Sequence, residues 1–404
     1  MSTSISQSVP NFPVVNSYSL SLDLTEQLAK SVDTSFIPVA QYPELVIDWK
    51  ALAKKINNTN SFLERYWLEA WLTELADTNT LAVKMVDQQN GELVGLGFLG
   101  SSICKRRKFF TVKQYTLNSS TAENRNMVIE YNQLLCAPER FTELHQQFIV
   151  AVFQHLLKAG EELHLPFSVI KNINCLSGKN SQLPATTVEL EQSLTAWQVV
   201  KQGKEPFLSS AYLSANRRHQ IRRAIRLYEQ RFQNPLQVIQ PVSVDEALQF
   251  FDKLGELHTR YWQSKGLPGS FANPIWVAFH RRLIESGFSN GRVQLLKFCA
   301  GSRVVGYLYN HVHGDWVGNI QSGFDYSIDD KRLKPGFVCH TMAIQLNFDS
   351  GRRYYDMLAG DGEQKSSLAN AQSELHSWVI QRSSVGRRIE NSLLKLIRGV
   401  REYV

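Results

Sequence analysis

From residue 61 onward the apolar and polar positions fall into a readable order. Phe62, Tyr66, Leu68, Trp71, Leu72 and Leu75 recur at helical spacing, and Ser61 with Glu64 three residues later has the form of a capping box. Two apolar runs follow, residues 81–86 and 93–99. Between them lies Gln88-Gln-Asn-Gly91, whose Asn-Gly pair supplies the positive φ angles of a tight hairpin, so the spacing predicts paired strands. Residues 128–135 are a third strand candidate, 141–159 an amphipathic helix and 166–171 a further short strand.

The second half repeats this order at larger scale. A helix is predicted over 214–232, a strand over 236–240, and helices over 245–262 and 274–286. Three strands follow at 293–298, 304–313 and 316–324, with turns at Ala300-Gly301 and Gly314-Asp315. Pro335 suits the first position of a helix running to about residue 350. Strands at 354–358 and 375–381 and a last helix over 385–401 complete the pattern. Helix, strands, helix, strand twice over predicts an α/β fold of two tandem lobes with mixed central sheets. We place a leader and extension at 1–60, a first lobe at 61–205 and a second lobe at 206–404.

Composition narrows the class. With 404 residues, 43% hydrophobic and 20% charged, the chain is neither disordered, collagenous nor coiled-coil. The longest apolar run, residues 148–153, falls far short of the ~18 a membrane-spanning helix needs. No basic residue precedes Lys30, which argues against a secretory signal. The cysteines, Cys104, Cys136, Cys175, Cys299 and Cys339, are odd in number and scattered, so neither a disulfide framework nor a metal site is expected, and a reducing cytoplasm is. Charge is uneven. Residues 1–200 hold 16 basic against 19 acidic side chains and residues 201–404 hold 28 against 18, which gives the second half the character of a binder of anions.

Three clusters in that half carry candidate chemistry. Gly323-Phe-Asp-Tyr326 is followed by Lys331-Arg-Leu-Lys-Pro-Gly-Phe-Val338, a basic Pro-Gly turn into a helix whose unpaired N–H groups suit a phosphate. Tyr354-Tyr-Asp-Met-Leu-Ala-Gly-Asp-Gly-Glu-Gln-Lys365 sets Asp356 near a strand end and Asp361 and Lys365 in the turn beyond it. Leu257 to Phe271 places His258 and Trp262 on one helical face ahead of a Gly- and Pro-rich turn. Each also reads as an ordinary turn or packed helix face.

Taken together and in this order, the clusters resemble the CelD-like acyltransferase family of cellulose and exopolysaccharide biosynthesis, within the GNAT and FemAB-like acyl-CoA N-acyltransferase superfamily. The helix and turn Leu-His-x-x-x-Trp-x-x-x-Gly-x-x-Gly-x-Phe is similar to residues 257–271, followed by Phe279-His280. The family's Pro-Gly helix start is similar to Pro335-Gly336, and its Asp-Phe-Leu-x-Gly-Asp-x-x-Tyr-Lys turn to residues 356–365. Here Met357, Ala359, Gln364 and Lys334 depart from the family pattern.

The resemblance implies acyl transfer from acyl-CoA, without a metal, to an amine or hydroxyl of a small-molecule or glycan-precursor acceptor. An amine must lose a proton before it attacks a thioester. His258, Asp356 and Asp361 are the candidate acceptors, and Lys365 neutralises charge. A backbone N–H in Gln321-Ser322-Gly323 meets the oxyanion, and Lys334, Pro335, Gly336, Phe337 and Val338 receive the pyrophosphate. Rival readings are a FemX-type transfer from aminoacyl-tRNA and a non-catalytic anion-binding module.

Weaker signals remain. The predicted helix at 214–232 carries Arg217, Arg218, Arg222, Arg223, Arg226 and Arg231 beside a stripe of Ile221, Ile225, Tyr228 and Phe232, which suits a phosphate, tRNA or lipid headgroup. His311 and His313 share a strand face without a third ligand, and read as a half-buried pair. The basic last helix leaves room for peripheral membrane contact.

Overall fold

The computed structural model describes residues 18–20, 32–57, 60–106, 110–119, 129–176, 183, 186–209, 213–386 and 389. The first half forms β1 (Tyr18–Ser19), β2 (Val32–Pro38), α1 (Leu45–Lys55), α2 (Arg65–Glu74), β3 (Leu81–Asp87), β4 (Leu93–Arg106), β5 (Phe110–Leu117), β6 (Leu135–Cys136), α3 (Phe141–His155), β7 (Glu162–Ser168), β8 (Ile170–Asn172) and β9 (Thr186–Val200). The second half forms α4 (Ala215–Phe232), β10 (Leu236–Ile239), α5 (Val244–Ser264), α6 (Pro274–Gly287), β11 (Val293–Ala300), β12 (Arg303–His313), β13 (Trp316–Phe324), α7 (Pro335–Asp349), β14 (Tyr354–Ala359), α8 (Glu363–Leu368) and β15 (Ala371–Arg382).

One mixed sheet runs through both halves in the order β10-β11-β12-β13-β14-β9-β15-β7-β5-β4-β3-β2, with β6 beside β4. Its two ends are built alike. An antiparallel run, β2 to β5, crosses over through α3 to β7, which lies parallel to β5. An antiparallel run, β10 to β13, crosses over through α7 to β14, which lies parallel to β13. The strands that follow are exchanged: β9 pairs with β14 of the second half, and β15 pairs with β7 of the first. β9 and β15 also pair with each other over twelve positions, so the halves share their central strands.

The two faces of the second half are covered differently. α4 and α7 bury Ile221, Tyr228, Val338 and Ile344 against one face, with Tyr355 and Met357. On the other face Phe251, Leu254, Phe279 and Leu283 of α5 and α6 join Trp67 and Trp71 of α2 in a core that continues through the first half. Each fully buried aliphatic or aromatic side chain contributes about 1.5–3 kcal/mol, so this shared core holds the halves against one another. Among the described residues no helix is long and apolar enough to cross a membrane.

Most sequence-based elements are present, with instructive exceptions. Ser214 caps α4 by accepting the Arg217 N–H, and Pro335 opens α7. The Asn-Gly hairpin joins β3 to β4, although only Gly91 of that pair takes positive φ. Ser61 does not cap a helix. It begins a single 3-10 turn capped by Asn60, and α2 starts only at Arg65. The strand expected over 128–135 shrinks to Leu135–Cys136, because Tyr131 adopts φ 55° and turns the chain away. The last helix expected over 385–401 lies almost wholly outside the described residues.

Candidate functional site

β13 and β14 are hydrogen-bonded in parallel only at Trp316, Val317 and Gly318, opposite Tyr354, Tyr355 and Asp356. Beyond Gly318 the strands part. β13 is bulged there, with Asn319 and Gln321 facing consecutive residues of β12 and Ile320 left over. β14 breaks its pairing with β9 between Asp356 and Ala359, where Leu358 takes φ 60°, a strained conformation for a branched residue that costs about 1–3 kcal/mol.

Ionisable side chains hold that strained turn. The Leu358 N–H donates to Asp356 Oδ1 at 2.7 Å, and the Ala359 N–H donates to Glu130 Oε2 at 2.7 Å. Lys365 Nζ donates to the carbonyls of Leu358 and Ala359 at 3.3 and 2.7 Å. All four backbone groups of the turn are therefore met by charge-bearing side chains, two from β14 and α8 and one from the first half.

Asp356 does not face an opening. It is fully buried, and its Oδ2 accepts from Tyr131 Oη at 2.5 Å, Trp316 Nε1 at 3.3 Å and Gln198 Nε2 at 3.4 Å. Burial pushes its carboxyl above the ordinary value, against the lowering effect of these donors. Asp356, one of the three candidate proton acceptors, thus ties β14 to β9, β13 and the Tyr131 turn.

The carboxylate that reaches open space is Glu130. It lines a cavity of about 240 Å³ between the halves, with Phe62 and Trp67 on one side and His280, Gln321 and Leu358 on the other. Burial raises its carboxyl from 4.5 to about 7, opposed by the Ala359 N–H and by Lys365, and aided by Asp356. Such a group is half ionised near neutrality, the condition under which a base works best. Nothing in local spacing marks it. Its one sequence signal is a lone acid inside the apolar stretch Val128-Ile-Glu-Tyr131.

The α7 start borders a second cavity of about 380 Å³, lined by Tyr228, Asp325, Tyr326, Lys334, Phe337 and Gln364 among others. The N–H groups of Gly336 and Phe337 lack partners within the helix, as in any first turn. That of Val338 already donates to the Lys334 carbonyl, and the Val338 side chain is buried, so Val338 drops out of the expected cradle. Lys334 holds φ 41° and sets its ammonium 5.5 Å over the Phe337 ring. Arg217 of α4 lies 4.3 Å over the same ring and also pairs with Glu363, a contact the sequence reading missed. Arg332 instead folds onto Asp330 through two hydrogen bonds and is spent there. The Gln364 amide lies against Gly336: a Cβ there would sit 2.5 Å from its oxygen and would push that side chain aside.

The short helix α8 joins the two cavities. Gln364 lines the cradle, and the next residue, Lys365, holds the turn whose Leu358 lines the other cavity.

The remaining candidates are placed as follows. His258 uses both ring nitrogens, Nδ1–H donating to the Ser322 carbonyl and Nε2 accepting the Ser270 N–H, each at 3.3 Å. Burial holds its pKa below the ordinary value. Both ring nitrogens are thus engaged, and His258 fixes the 270 turn against β13. The Ser322 N–H is taken by the Gln321 side chain at 3.0 Å. Gly323 is where α5 presses on β13, a Cβ there meeting the Leu254 carbonyl oxygen at 2.4 Å. Asp361 is exposed in the turn, on neither cavity wall. His311 and His313 are separately engaged, with Tyr66 and with Glu64. Among the described residues no group of three or more His, Cys, Asp or Glu is placed to hold a metal.

Comparison with known proteins bears on this geometry. Residues 215–366 match the model of the acetyltransferase (GNAT) domain. The match spans α4 through Ser366 and so includes the cradle, the parting strands and Lys365. No curated protein matches the chain. Similar solved structures include FemX, 10% identical over 85% of this chain and 96% of that one with a TM-score of 0.49. Others are a conserved protein of unknown function from Bacteroides thetaiotaomicron (9%, 86% and 99%, 0.46) and the tandem GNAT protein of the clavulanic acid biosynthesis pathway (12%, 86% and 98%, 0.43).

Proposed function

We propose that this chain is an acyltransferase that moves an acyl group from acyl-CoA to an amine or hydroxyl of a cell-envelope or polysaccharide precursor, in the manner of the CelD-like family. One observation carries the reading. An anion cradle at a helix start, inside the segment that matches the acetyltransferase domain, is coupled through consecutive residues, Gln364 and Lys365, to a cavity that holds Glu130, a first-half carboxylate poised near neutrality.

In this reading the two lobes divide near residue 205, and the acceptor enters the cavity between them. The donor pyrophosphate rests on the N–H groups of Gly336 and Phe337, with Lys334 and Arg217 supplying charge. The thioester arm lies in the opening between β13 and β14. Glu130 takes the proton of the acceptor, the acceptor lone pair adds to the carbonyl carbon, and the C–S bond breaks to release the CoA thiolate. Lys365 keeps the Leu358 turn in place during these steps. An acyl-CoA donor implies a cytoplasmic reaction.

Calorimetric titration with acetyl-CoA tests the proposal. Binding that weakens about tenfold or more in Lys334→Ala/Arg217→Ala supports it. No binding of acetyl-CoA overturns it, and salt-dependent binding of charged tRNA in its place would assign the Arg-rich α4 to a tRNA-borne donor.

A further inference from the structure

Four fully or almost fully buried side chains form a continuous hydrogen-bonded chain from the first half of the molecule to the cavity. Tyr66 Oη on α2 lies 2.9 Å from His311 Nδ1, and His311 Nε2 lies 2.9 Å from Tyr309 Oη, both on β12. Tyr309 Oη lies 3.1 Å from Nδ1 of His280 on α6, and His280 lines the cavity that holds Glu130.

We propose that His280 presents its Nε2–H to this cavity as the hydrogen-bond donor to the carbonyl oxygen of the acyl group under transfer, its tautomer set by the chain that starts at Tyr66. The donor role rests on the acyl-transfer reading. The tautomer does not.

The direction of the chain follows from its first member. Tyr66 Oη has one partner among the described residues, His311 Nδ1, and a buried hydroxyl proton left undonated is costly. Tyr66 therefore donates to His311 Nδ1. Burial takes the His311 imidazole down to about 3, so it is neutral and carries its proton on Nε2, which donates to Tyr309 Oη. The Tyr309 hydroxyl then has one acceptor left, His280 Nδ1. His280 is also held well below its ordinary pKa by burial and by His311, so its proton sits on Nε2. The reverse polarity would leave the Tyr66 proton without an acceptor.

Among the described residues His280 Nε2 has no hydrogen-bond partner, and it is not among their sealed polar atoms, on a ring that lines the cavity. Its ring is packed against Trp276, 4.0 Å between centroids, which fixes its plane. When the acceptor adds to the carbonyl carbon, the C=O electron pair moves onto oxygen, and a preorganised neutral N–H strengthens its hydrogen bond without a change of its own protonation. His280 and Glu130 thus divide the work in one cavity: one donates to oxygen, the other accepts the acceptor's proton. Tyr66, His311 and Tyr309 are positioning residues.

The test is two-bond ¹H–¹⁵N correlation spectroscopy on the full chain labelled at histidine, with His280→Asn assigning the signal. His280 should show the Nε2–H tautomer, and Tyr66→Phe or Tyr309→Phe should convert it to a mixed or reversed pattern. A wild-type Nδ1–H tautomer overturns the proposal, as does an Nε2–H pattern unmoved by both variants. Adding S-acetonyl-CoA, a ketone analogue of acetyl-CoA, should shift the His280 Hε2 resonance downfield. Binding of the analogue without that shift overturns the donor role alone. Failure of the analogue to bind overturns the acyl-CoA reading and the donor role with it, while the tautomer result stands on its own.

Discussion

Glu130 accepts the N–H of Ala359 at 2.7 Å although 229 positions separate them in the chain. The bond ties a first-half carboxylate to the end of the strand that forms one wall of the opening in the second half. Displacing either partner therefore disturbs the cavity and the strained Leu358 turn together.

Glu130 should govern the pH dependence. Its carboxyl is raised from 4.5 to about 7, so the unfolded chain ionises first as pH rises. Stability from this group is present below about 4.5 and is lost as pH climbs toward 7, whereas the ionised, proton-accepting form appears only as pH passes about 7. Acyl transfer should accordingly rise through pH 7. Glu130→Gln should abolish that limb, lower the rate by about 10²–10⁴ and raise the melting temperature at pH 8. A variant that keeps the limb would assign the base elsewhere.

Tyr131→Phe removes the shortest donor to the buried Asp356 carboxylate and should cost about 1–3 kcal/mol in urea unfolding. Acetyl-CoA affinity should be unchanged, because Asp356 touches neither cavity. Unaltered stability would mean that Trp316 and Gln198 suffice.

Lys365→Met leaves the Leu358 and Ala359 carbonyls without their ammonium donor. Turnover should fall by about 10²-fold with the affinity for CoA nearly intact, since a misplaced turn misaligns the reacting groups more than it weakens donor binding. Equal losses in both would place Lys365 on the donor itself.

His258→Asn should lower stability while leaving the shape of the pH–rate profile alone, because both ring nitrogens are committed to Ser322 and Ser270. Loss of the limb near pH 7 in this variant, and not in Glu130→Gln, would restore His258 as the base.

Elements with strong local signals were legible from the sequence. The missing N–H of Pro335 and the hydroxyl of Ser214 act within one turn of the helices they start, so α7 and α4 could be read directly. β9 could not, since Glu189, Glu191 and Gln192 interrupt any apolar alternation and the strand is held by β14 and β15, which lie more than 150 residues later. β5 follows the basic run Lys105-Arg-Arg-Lys108, which hides its apolar positions. In the site, Lys334, Gly336 and Lys365 were visible as a motif, whereas Glu130 and Arg217 act across the fold on backbone and rings that only tertiary structure brings near. His258 shows the opposite case: its residue type suits a base, while its two hydrogen-bond partners are invisible in one dimension. Cys339, open to question from sequence, is fully buried and its thiol is pushed up, so it is inert.

Hydrogen–deuterium exchange of the full chain, with and without saturating acetyl-CoA, probes the donor groove directly. The account predicts slowed exchange confined to three segments: the α7 start at 334–338, the bulged end of β13 at 319–323 and the turn at 357–360. Protection elsewhere with these three unchanged, or none at saturation, would contradict it.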